Sequence, residues 1–120
     1  MMKRLAATIL ALALVLPSTS MAAEKGWFGF DLKIAGAGLF NPTVRSITVA
    51  SIAPGSPAAA KAIAVGDEIV QIEETSVQGR KASELKPLIQ KQVGETIHLR
   101  LKRPGGEIYS VTLVAAKNPG

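Results

Sequence analysis

The stretch Gly26-Trp27-Phe28-Gly29-Phe30-Asp31-Leu32-Lys33-Ile34 decides the fold. Its last five residues alternate between apolar and charged side chains, which is typical of a strand with one buried face. Gly29 lies between two phenylalanines and lets the backbone turn tightly, so that neighbouring N–H groups can point outward. Consecutive outward N–H groups form an anion site, and a peptide's terminal carboxylate is one anion that fits it. A hydrophobic strand start with a glycine bulge explains the same residues.

The first 22 residues have the organisation of a secretory signal peptide. A basic start precedes an apolar run from Leu5 to Leu16, and residues 17–23 are mostly small. Ser20 and Ala22 occupy the two small positions that cleavage requires, which places the cut after Ala22. A transmembrane anchor is the alternative, but the apolar run is short for a bilayer span. The pattern is typical of bacterial export, so we expect a periplasmic or secreted protein with no membrane span after cleavage.

Cleavage after Ala22 leaves residues 23–120 as a single small domain, with a core expected over about residues 26–115. The whole chain has 14 Lys and Arg residues against 9 Asp and Glu residues, a net charge of +5. Lys3 and Arg4 leave with the signal, and no basic stripe with interleaved aromatic residues remains, so we expect no nucleic-acid partner. The chain has no cysteine, which excludes a disulfide framework.

Further elements are predicted from periodicity and turn residues. Strands are expected over residues 44–52, 68–72, 96–103 and 107–114. The alternation within the first of these places Val44 on the same face as Ser46 and Thr48, opposite Ile47 and Val49. The glycine-rich residues 35–42 are expected to form a flexible connection, since a Gly-x-Gly without a following helix is a weak nucleotide signal.

Two helices are expected. Ser56 followed by Pro57 predicts the start of a short helix over residues 58–62. A second helix is expected over about residues 83–93, with Ser83 as its N-cap and Gly94 closing it. Its two adjacent, partly apolar faces predict that one meets the core and the other borders a groove.

A hydrolase is an alternative function that the residue inventory argues against. There is no cysteine nucleophile, and the only histidine, His98, lies on the polar face of a predicted strand. No acid–histidine–serine spacing favours a catalytic triad. One histidine without cysteine also gives no cluster of metal ligands. We therefore expect no catalytic residue, no metal and no cofactor.

Three short motifs occur in a fixed order along the chain. The Phe28-Gly29-Phe30 stretch is followed by SIAPGSPAA over residues 51–59 and by VGDEI over residues 65–69. In this order they resemble a bacterial PDZ domain of the kind found in exported serine proteases of the high-temperature-requirement type. The resemblance extends from Gly26 to about Ala115. It implies an α+β fold, a small and partly open β-barrel or sandwich of about five strands capped by two helices.

The resemblance also implies a site, because PDZ domains bind extended, usually C-terminal, peptides between a strand and a helix. By position, the edge strand that accepts the peptide is 30–34, and the last peptide side chain enters a pocket lined by Phe28, Phe30, Leu32 and Ile89. Ala82 and Lys86 match the helix positions that face the residue two before the terminus. The implied peptide-binding residues are Trp27, Phe28, Gly29, Phe30, Leu32, Ile34, Ala82, Lys86 and Ile89.

Three positions along the chain depart from the family pattern, one of them a pair of residues. Ala62 stands where the family often has glycine after the first helix, so we expect that helix end to be built differently. Glu73-Glu74 replaces a common asparagine-glycine turn, which predicts a turn of another type or a longer one. Ala82 replaces the histidine of members that prefer serine or threonine ligands, which removes a hydrogen-bond donor.

The function expected from these features is that of an exported peptide-binding domain, an adaptor or regulator and not an enzyme. Its expected partner is a C-terminal or extended peptide of another envelope protein, and a monomer is the expected state. One alternative is a structural domain that self-associates through the same open strand edge. Another is a detached regulatory domain of a protease system.

Overall fold

The computed structural model describes residues 24–119, so the predicted signal peptide and its cleavage site lie outside the described residues. The elements are β1 (Gly26–Trp27), β2 (Phe30–Ala37), β3 (Thr43–Ile52), α1 (Pro57–Ala60), β4 (Glu68–Ile72), β5 (Thr75–Ser76), α2 (Ala82–Ile89), β6 (Thr96–Lys102), β7 (Ile108–Val114) and β8 (Ala116–Lys117). Strands and two short helices are segregated as in an α+β fold, which confirms the predicted fold class.

The main sheet is antiparallel and open. Its strand order is β2-β3-β4-β6-β7, with β5 paired to β4, so β2 and β7 form its two edges. The sheet is not closed into a barrel. A separate two-stranded ladder joins β1 to β8 and places the residues before β2 next to the end of the chain.

The core lies on one face of this sheet and under α2. In β6 the alternation is complete, with Ile97, Leu99 and Leu101 buried and the residues between them exposed. Leu85 is the buried residue of α2. A fully buried side chain of this size stabilises the fold by about 1.5–3 kcal/mol, so the aliphatic core fixes the position of α2 over the sheet. The largest fully buried apolar side chains are Ile47, Ile69, Ile72, Ile97, Leu101, Leu113, Val44, Val49 and Val77.

A bulge in β3 overturns one prediction. Ala35 pairs with Ser46 but Gly36 pairs with Val44, which leaves Arg45 without a partner. The extra residue reverses the alternation on one side of it, so Val44 is buried on the same face as the core residue Ile47. The predicted grouping of Val44 with the outer face is therefore wrong.

The glycine-rich stretch after the first predicted strand is also different from expectation. β2 continues through residues 35–37, so the connection to β3 is only residues 38–42. Gly36 is required in the strand because a Cβ at this position would overlap the carbonyl oxygen of Thr43. The close approach of β2 and β3 at this point explains a glycine that sequence patterns assign to a loop.

The bounds predicted for the second helix were wrong at both ends. Its N-cap is Lys81, whose N–H donates to the Glu84 carboxylate at 2.9 Å, so Pro87 lies in the second turn of the helix. The helix ends at Ile89 because the chain after it pairs elsewhere. The N–H of Gly26 donates to the Lys91 carbonyl at 2.7 Å, and the Gly94 N–H donates to Ala115 at 2.9 Å. Tertiary pairing, and not a glycine cap, ends α2.

The start of α1 agrees with prediction, but its end does not. Ser56 is the N-cap, and its hydroxyl accepts a hydrogen bond from the Ala59 N–H at 3.1 Å. Ala62 adopts φ +62°, the left-handed conformation that glycine takes at this position without a steric cost. The helix end is therefore built in the family manner, with alanine under strain.

The connection between β4 and β5 is two residues long, so the longer turn that the sequence allowed at Glu73-Glu74 is not formed. Glu73 takes the left-handed conformation at φ +54°. Its backbone N–H donates to the His98 carbonyl and its carboxylate accepts from the His98 N–H, both at 2.8 Å. These two hydrogen bonds to β6 offset the backbone strain.

The Gly-Asp pair of the VGDEI motif forms a buried polar cluster. Asp67 is buried, and its Oδ2 accepts hydrogen bonds from Arg103 at 2.6 Å and from the Tyr109 hydroxyl. The Arg103 guanidinium also stacks over the Tyr109 ring, 4.1 Å from its centroid. The pKa of Tyr109 is raised well above its ordinary value. Burial is the largest cause, and the hydrogen bond to Asp67 is the second. The cluster ties the β6–β7 hairpin to the start of β4.

Candidate functional site

A groove of about 330 Å³ lies between the sheet and α2. One wall is α2, the floor is formed by β3, and Ile34 of β2 stands at the other wall. Its lining is aliphatic except at two polar residues, so it can accept apolar side chains from solvent. The lining residues are Ile34, Val44, Ile47, Ala82, Leu85, Lys86, Ile89 and Gln90.

Four of the residues implied by the family resemblance line this groove. They are Ile34, Ala82, Lys86 and Ile89. Ile34 is 49% exposed, so its side chain is available at the groove surface. The remaining implied residues lie at or before the start of β2, and none of them lines this volume: Trp27, Phe28, Gly29, Phe30 and Leu32.

The loop before β2 has its carbonyl groups turned inward. The Phe28 carbonyl accepts from the Ala58 N–H at 3.0 Å, and the Gly29 carbonyl accepts from the Ala53 N–H at 2.7 Å. Within residues 24–119, the N–H groups of Phe28 and Gly29 have no acceptor outside the strand ladders. Both residues are buried, and their N–H groups are unpaired within this part of the chain.

The start of β2 also presents backbone groups to the outside. The Ala53 N–H donates to the Gly29 carbonyl at the end of the ladder, and the next position pairs Phe30 with Ile52. Because hydrogen-bonded positions alternate along an antiparallel strand, the N–H and C=O groups of Phe30 point away from β3. The open edge of β2 therefore begins directly after the loop.

The aromatic side chains of the loop support it from below. Phe28 is buried at 7% exposure, and its ring lies 5.9 Å from that of Phe30 between centroids, tilted by 35°. Phe30 and Leu32 are half-buried and pack against the core. Trp27 lies in β1 and pairs with Ala116. Their positions stabilise the loop conformation.

Several lining residues were not predicted from the sequence. Val44 enters the groove only because the bulge at Arg45 reverses its direction, and no sequence pattern reports that bulge. Ile47 lies on the strand face that it was predicted to share with Val49, and Leu85 lies on one of the two partly apolar faces of the predicted helix. Their burial could be read from periodicity, but their access to the groove could not.

The loop between β2 and β3 extends the groove at the start of α2. The Pro42 carbonyl accepts from the Ala82 N–H at 2.9 Å, and the Asn41 side chain accepts from the Ser83 N–H at 3.0 Å. These contacts satisfy helix N-terminal donors and hold the loop against α2. They also place Phe40, which is 97% exposed, beside a depression lined by Ala82, Ser83 and Lys86.

The single histidine has no catalytic environment. His98 is exposed, and its Nδ1 lies 2.9 Å from the Thr112 hydroxyl. The nearby Glu73 carboxylate accepts from the backbone N–H of His98 and not from its ring. Over residues 24–119, no cluster of three or more His, Cys, Asp or Glu side chains could hold a metal ion.

The model of the PDZ domain family matches residues 18–102, more than half of the chain. The chain belongs to the PDZ domain family. PDZ domains are non-catalytic peptide-binding modules, and the groove beside the open β2 edge lies where the family resemblance places a peptide. No curated protein sequence matched the chain. In the described part of this PDZ domain, no helix has the length and apolar character needed to span a membrane.

Solved structures of protease PDZ domains share its fold. The photosystem II D1 C-terminal processing protease aligns with a TM-score of 0.65 and 24% identity, over 81% of this chain and 24% of that one. The PDZ domain of a carboxy-terminal protease from Vibrio cholerae, in complex with a peptide, aligns with a TM-score of 0.60 and 20% identity, over 79% and 96% of the two chains. The HtrA-type protease AlgW, in a structure with a decapeptide, aligns with a TM-score of 0.57 and 24% identity, over 79% of this chain and 30% of that one.

The aligned region covers very different shares of the three solved structures. This PDZ domain matches nearly all of the isolated Vibrio cholerae domain but only 24% and 30% of the two proteases. At these identities the similarity shows a shared fold. The two proteases contain large parts that this chain does not match.

Proposed function

We propose that this PDZ domain is an exported, non-enzymatic adaptor or regulator that captures the C-terminus of an extended peptide by adding it as a strand to β2. The observation that carries the proposal is the juxtaposition of three features: an unpaired strand edge, available N–H groups just before it, and an aliphatic groove beside it. Strand addition satisfies the open N–H and C=O groups without any catalytic chemistry. The peptides in two of the similar structures support the same reading.

The free carboxylate of the peptide is bound by backbone donors in this proposal. The N–H groups of Phe28 and Gly29 lack protein acceptors outside the ladders, and Phe30 directs its N–H away from β3. Three successive donors surround an anion whatever their side chains are, because the loop conformation aims them. Recognition of the carboxylate therefore depends on backbone shape and not on a basic side chain.

The side chains of the peptide are selected by the groove. Ile34 and Ile89 offer an apolar surface on which an aliphatic or aromatic peptide side chain contributes about 1.5–3 kcal/mol when it is fully covered. Lys86 is exposed beside this surface and favours an acidic residue upstream in the peptide. As an exposed charge it contributes only about 0–1 kcal/mol, so it adjusts the preference without creating binding.

The proposed partner is the C-terminal or extended segment of another envelope protein. This proposal rests on the signal-like residues 1–22, which lie outside the described residues, together with the peptide groove. A role beside a protease is a second candidate, favoured by the fold similarity to PDZ domains of proteases. In that case the peptide bound in the groove belongs to the protease or to its substrate.

A peptide-array titration tests the proposal. The protein, purified after export, is exposed to decapeptides with varied C-termini, beside the Ile89→Asp variant and a Val65→Asp control. Val65 is exposed and lies outside the groove. We expect selection of apolar C-terminal residues by the wild type and the control, and at least about tenfold weaker binding by the groove variant. Equal binding by all three folded proteins would contradict the proposal.

A further inference from the structure

The second edge of the main sheet, β7, is open and unprotected. Its inward-facing Tyr109 and Val111 are only partly buried, whereas the inward-facing residues of the neighbouring strand β6 are fully covered. The difference arises because β6 has neighbours on both sides and β7 has one. Within residues 24–119, no other strand pairs with the outer edge of β7.

The hydrogen bonds at the two ends of the β6–β7 hairpin show which backbone groups of β7 point outward. The Arg103 N–H donates to the Glu107 carbonyl, and the Ala115 N–H donates to the Glu95 carbonyl, both at 2.8 Å. The register between these two points is continuous. Because hydrogen-bonded positions alternate, the odd-numbered residues of β7 face β6 and the even-numbered ones direct their N–H and C=O groups outward. The outward residues are Ile108, Ser110, Thr112 and Val114.

Edge strands of soluble proteins usually carry protection that β7 lacks. Charged side chains, proline and bulges commonly prevent unwanted strand pairing. The opposite edge, β2, carries Asp31 and Lys33 and two irregularities in its register. The β7 sequence IYSVTLV has no charge and no proline, and its register with β6 has no shift. Two of its outward residues, Ile108 and Val114, are about half exposed.

The β7 sequence is also complementary to itself. An antiparallel pair of β7 strands centred on Val111 places Ile108 opposite Val114 and Ser110 opposite Thr112. On the inner face it places Tyr109 opposite Leu113. In this register apolar side chains lie opposite apolar ones, and hydroxyl side chains lie opposite hydroxyl ones. The outward N–H and C=O groups of both strands form about eight backbone hydrogen bonds between the two copies.

We propose that β7 is a homodimerisation edge, on which a second copy of this chain pairs antiparallel about Val111. The two main sheets then form one continuous sheet. A single strand pair buries less surface than a stable dimer interface, so the dimer forms on concentration and dissociates on dilution. The proposal departs from the expected monomer, and it differs from self-association through β2.

The dimer leaves both peptide grooves free. β2 and β7 are opposite edges of the sheet, so pairing through β7 does not cover the β2 edge or α2. Two grooves on one assembly bind two peptide termini at once, and the second binding event benefits from a high effective concentration. The proposed partner in this case is a protein that displays several copies of its C-terminus.

A charge-swap pair tests the dimer and its register together. The Ser110→Glu/Thr112→Glu variant places acidic residues opposite each other across the proposed interface. The matched Ser110→Glu/Thr112→Lys variant places opposite charges there. Both positions are exposed in the single chain, and Arg100 stands beside position 110, so neither variant disturbs the core. Thermal unfolding checks that each remains folded.

Sedimentation equilibrium over about 5–500 μM of the exported protein is the measurement. We expect a concentration-dependent dimer for the wild type, at least about tenfold weaker association for the doubly acidic variant, and recovery in the oppositely charged variant. A saturating decapeptide ending in valine leaves the wild-type dimer intact. A monomer throughout the range, or a dimer insensitive to the acidic pair, would overturn the proposal. Loss of the dimer on adding peptide would overturn it too, because association would then use β2.

Discussion

Gly29 of the loop before β2 lies directly against Ser56, the residue that caps α1. A Cβ on Gly29 would overlap both the Cβ and the hydroxyl oxygen of Ser56, and the backbone of Gly29 has φ +88°. The sequence predicts that a side chain at this position would crowd a bound carboxylate. The structure places the crowding inside the protein, between the loop and the α1 cap, so the loop conformation and α1 depend on each other.

Replacement of Gly29 by alanine is therefore expected to destabilise the fold as well as the binding loop. We expect a loss of about 2–4 kcal/mol in the free energy of unfolding, from overpacking and from the left-handed conformation. Gly55→Ala is the matched control, because Gly55 has φ +73° but open space around it, and it should cost only about 1 kcal/mol. Urea denaturation of both variants makes the comparison. Equal losses would mean that contact with Ser56 is unimportant.

Ala62 offers a stabilising substitution. Its φ of +62° is strained for alanine and not for glycine, so Ala62→Gly should raise the free energy of unfolding by about 0.5–1 kcal/mol. Ala59→Gly is the control, since Ala59 is an equally exposed alanine within α1, where glycine should cost about 0.5–1 kcal/mol. Opposite signs for these two changes in thermal or urea unfolding are the expected result. Destabilisation by both would show that strain at Ala62 is negligible.

Tyr109 should resist ionisation while the protein is folded. Its pKa is raised, chiefly by burial, so the folded state favours the neutral phenol more than the unfolded state does. The resulting stability is fully present below the ordinary tyrosine pKa of about 10, and it declines as the pH rises above that value. Tyr109 is the only tyrosine in the chain, so the ultraviolet absorbance of phenolate reports on it alone.

The expected titration shows little phenolate near pH 10 in the folded protein and normal ionisation in urea. Unfolding experiments between about pH 8 and pH 11 should show a steeper loss of stability in the wild type than in Tyr109→Phe. The Tyr109→Phe variant is needed as a reference because lysines also titrate between these pH values. A phenolate signal with the same midpoint in both solvents would contradict the role assigned to the Asp67–Arg103–Tyr109 cluster.

Phe40 should contribute to the binding of long peptides only. It is held at the α2 N-terminal end of the groove by the contacts of Asn41 and Pro42, beside Ala82 and Lys86. Phe40→Ser should weaken a decapeptide by about three- to tenfold through lost apolar contact, and leave a dipeptide, which ends before these helix positions, unaffected. Fluorescence anisotropy with labelled peptides of both lengths measures the two affinities. An equal effect on both lengths would indicate an indirect change in the groove.

Local patterns predicted the order and type of the main elements. Alternation identified the strands that became β2, β3, β6 and β7, a β-branched apolar run identified β4, and the Ser56-Pro57 pair located the start of α1. These predictions succeeded because each depends on neighbours in the sequence. The family resemblance named four residues that line the groove, and helical periodicity had already placed three of them, Ala82, Lys86 and Ile89, on one face of the predicted helix.

Two of the errors arose from contacts between distant parts of the chain. The bulge at Arg45 is fixed by the register between β2 and β3, and it decides that Val44 reaches the groove. The end of α2 is fixed by the pairing of Lys91 with Gly26. Local propensity carries no information on either contact, so the floor and one end of the groove could be found only in the folded structure.

The most direct test of the proposed carboxylate recognition compares two versions of one peptide. A decapeptide ending in valine is measured by titration calorimetry with a free C-terminal carboxylate and with a C-terminal amide. Because the proposal has the N–H groups of Phe28 and Gly29 bind the terminal carboxylate, the free peptide should bind at least about tenfold more tightly, a difference of about 1.4 kcal/mol. Equal affinity for both versions would contradict carboxylate recognition and would mean that the β2 edge binds internal segments.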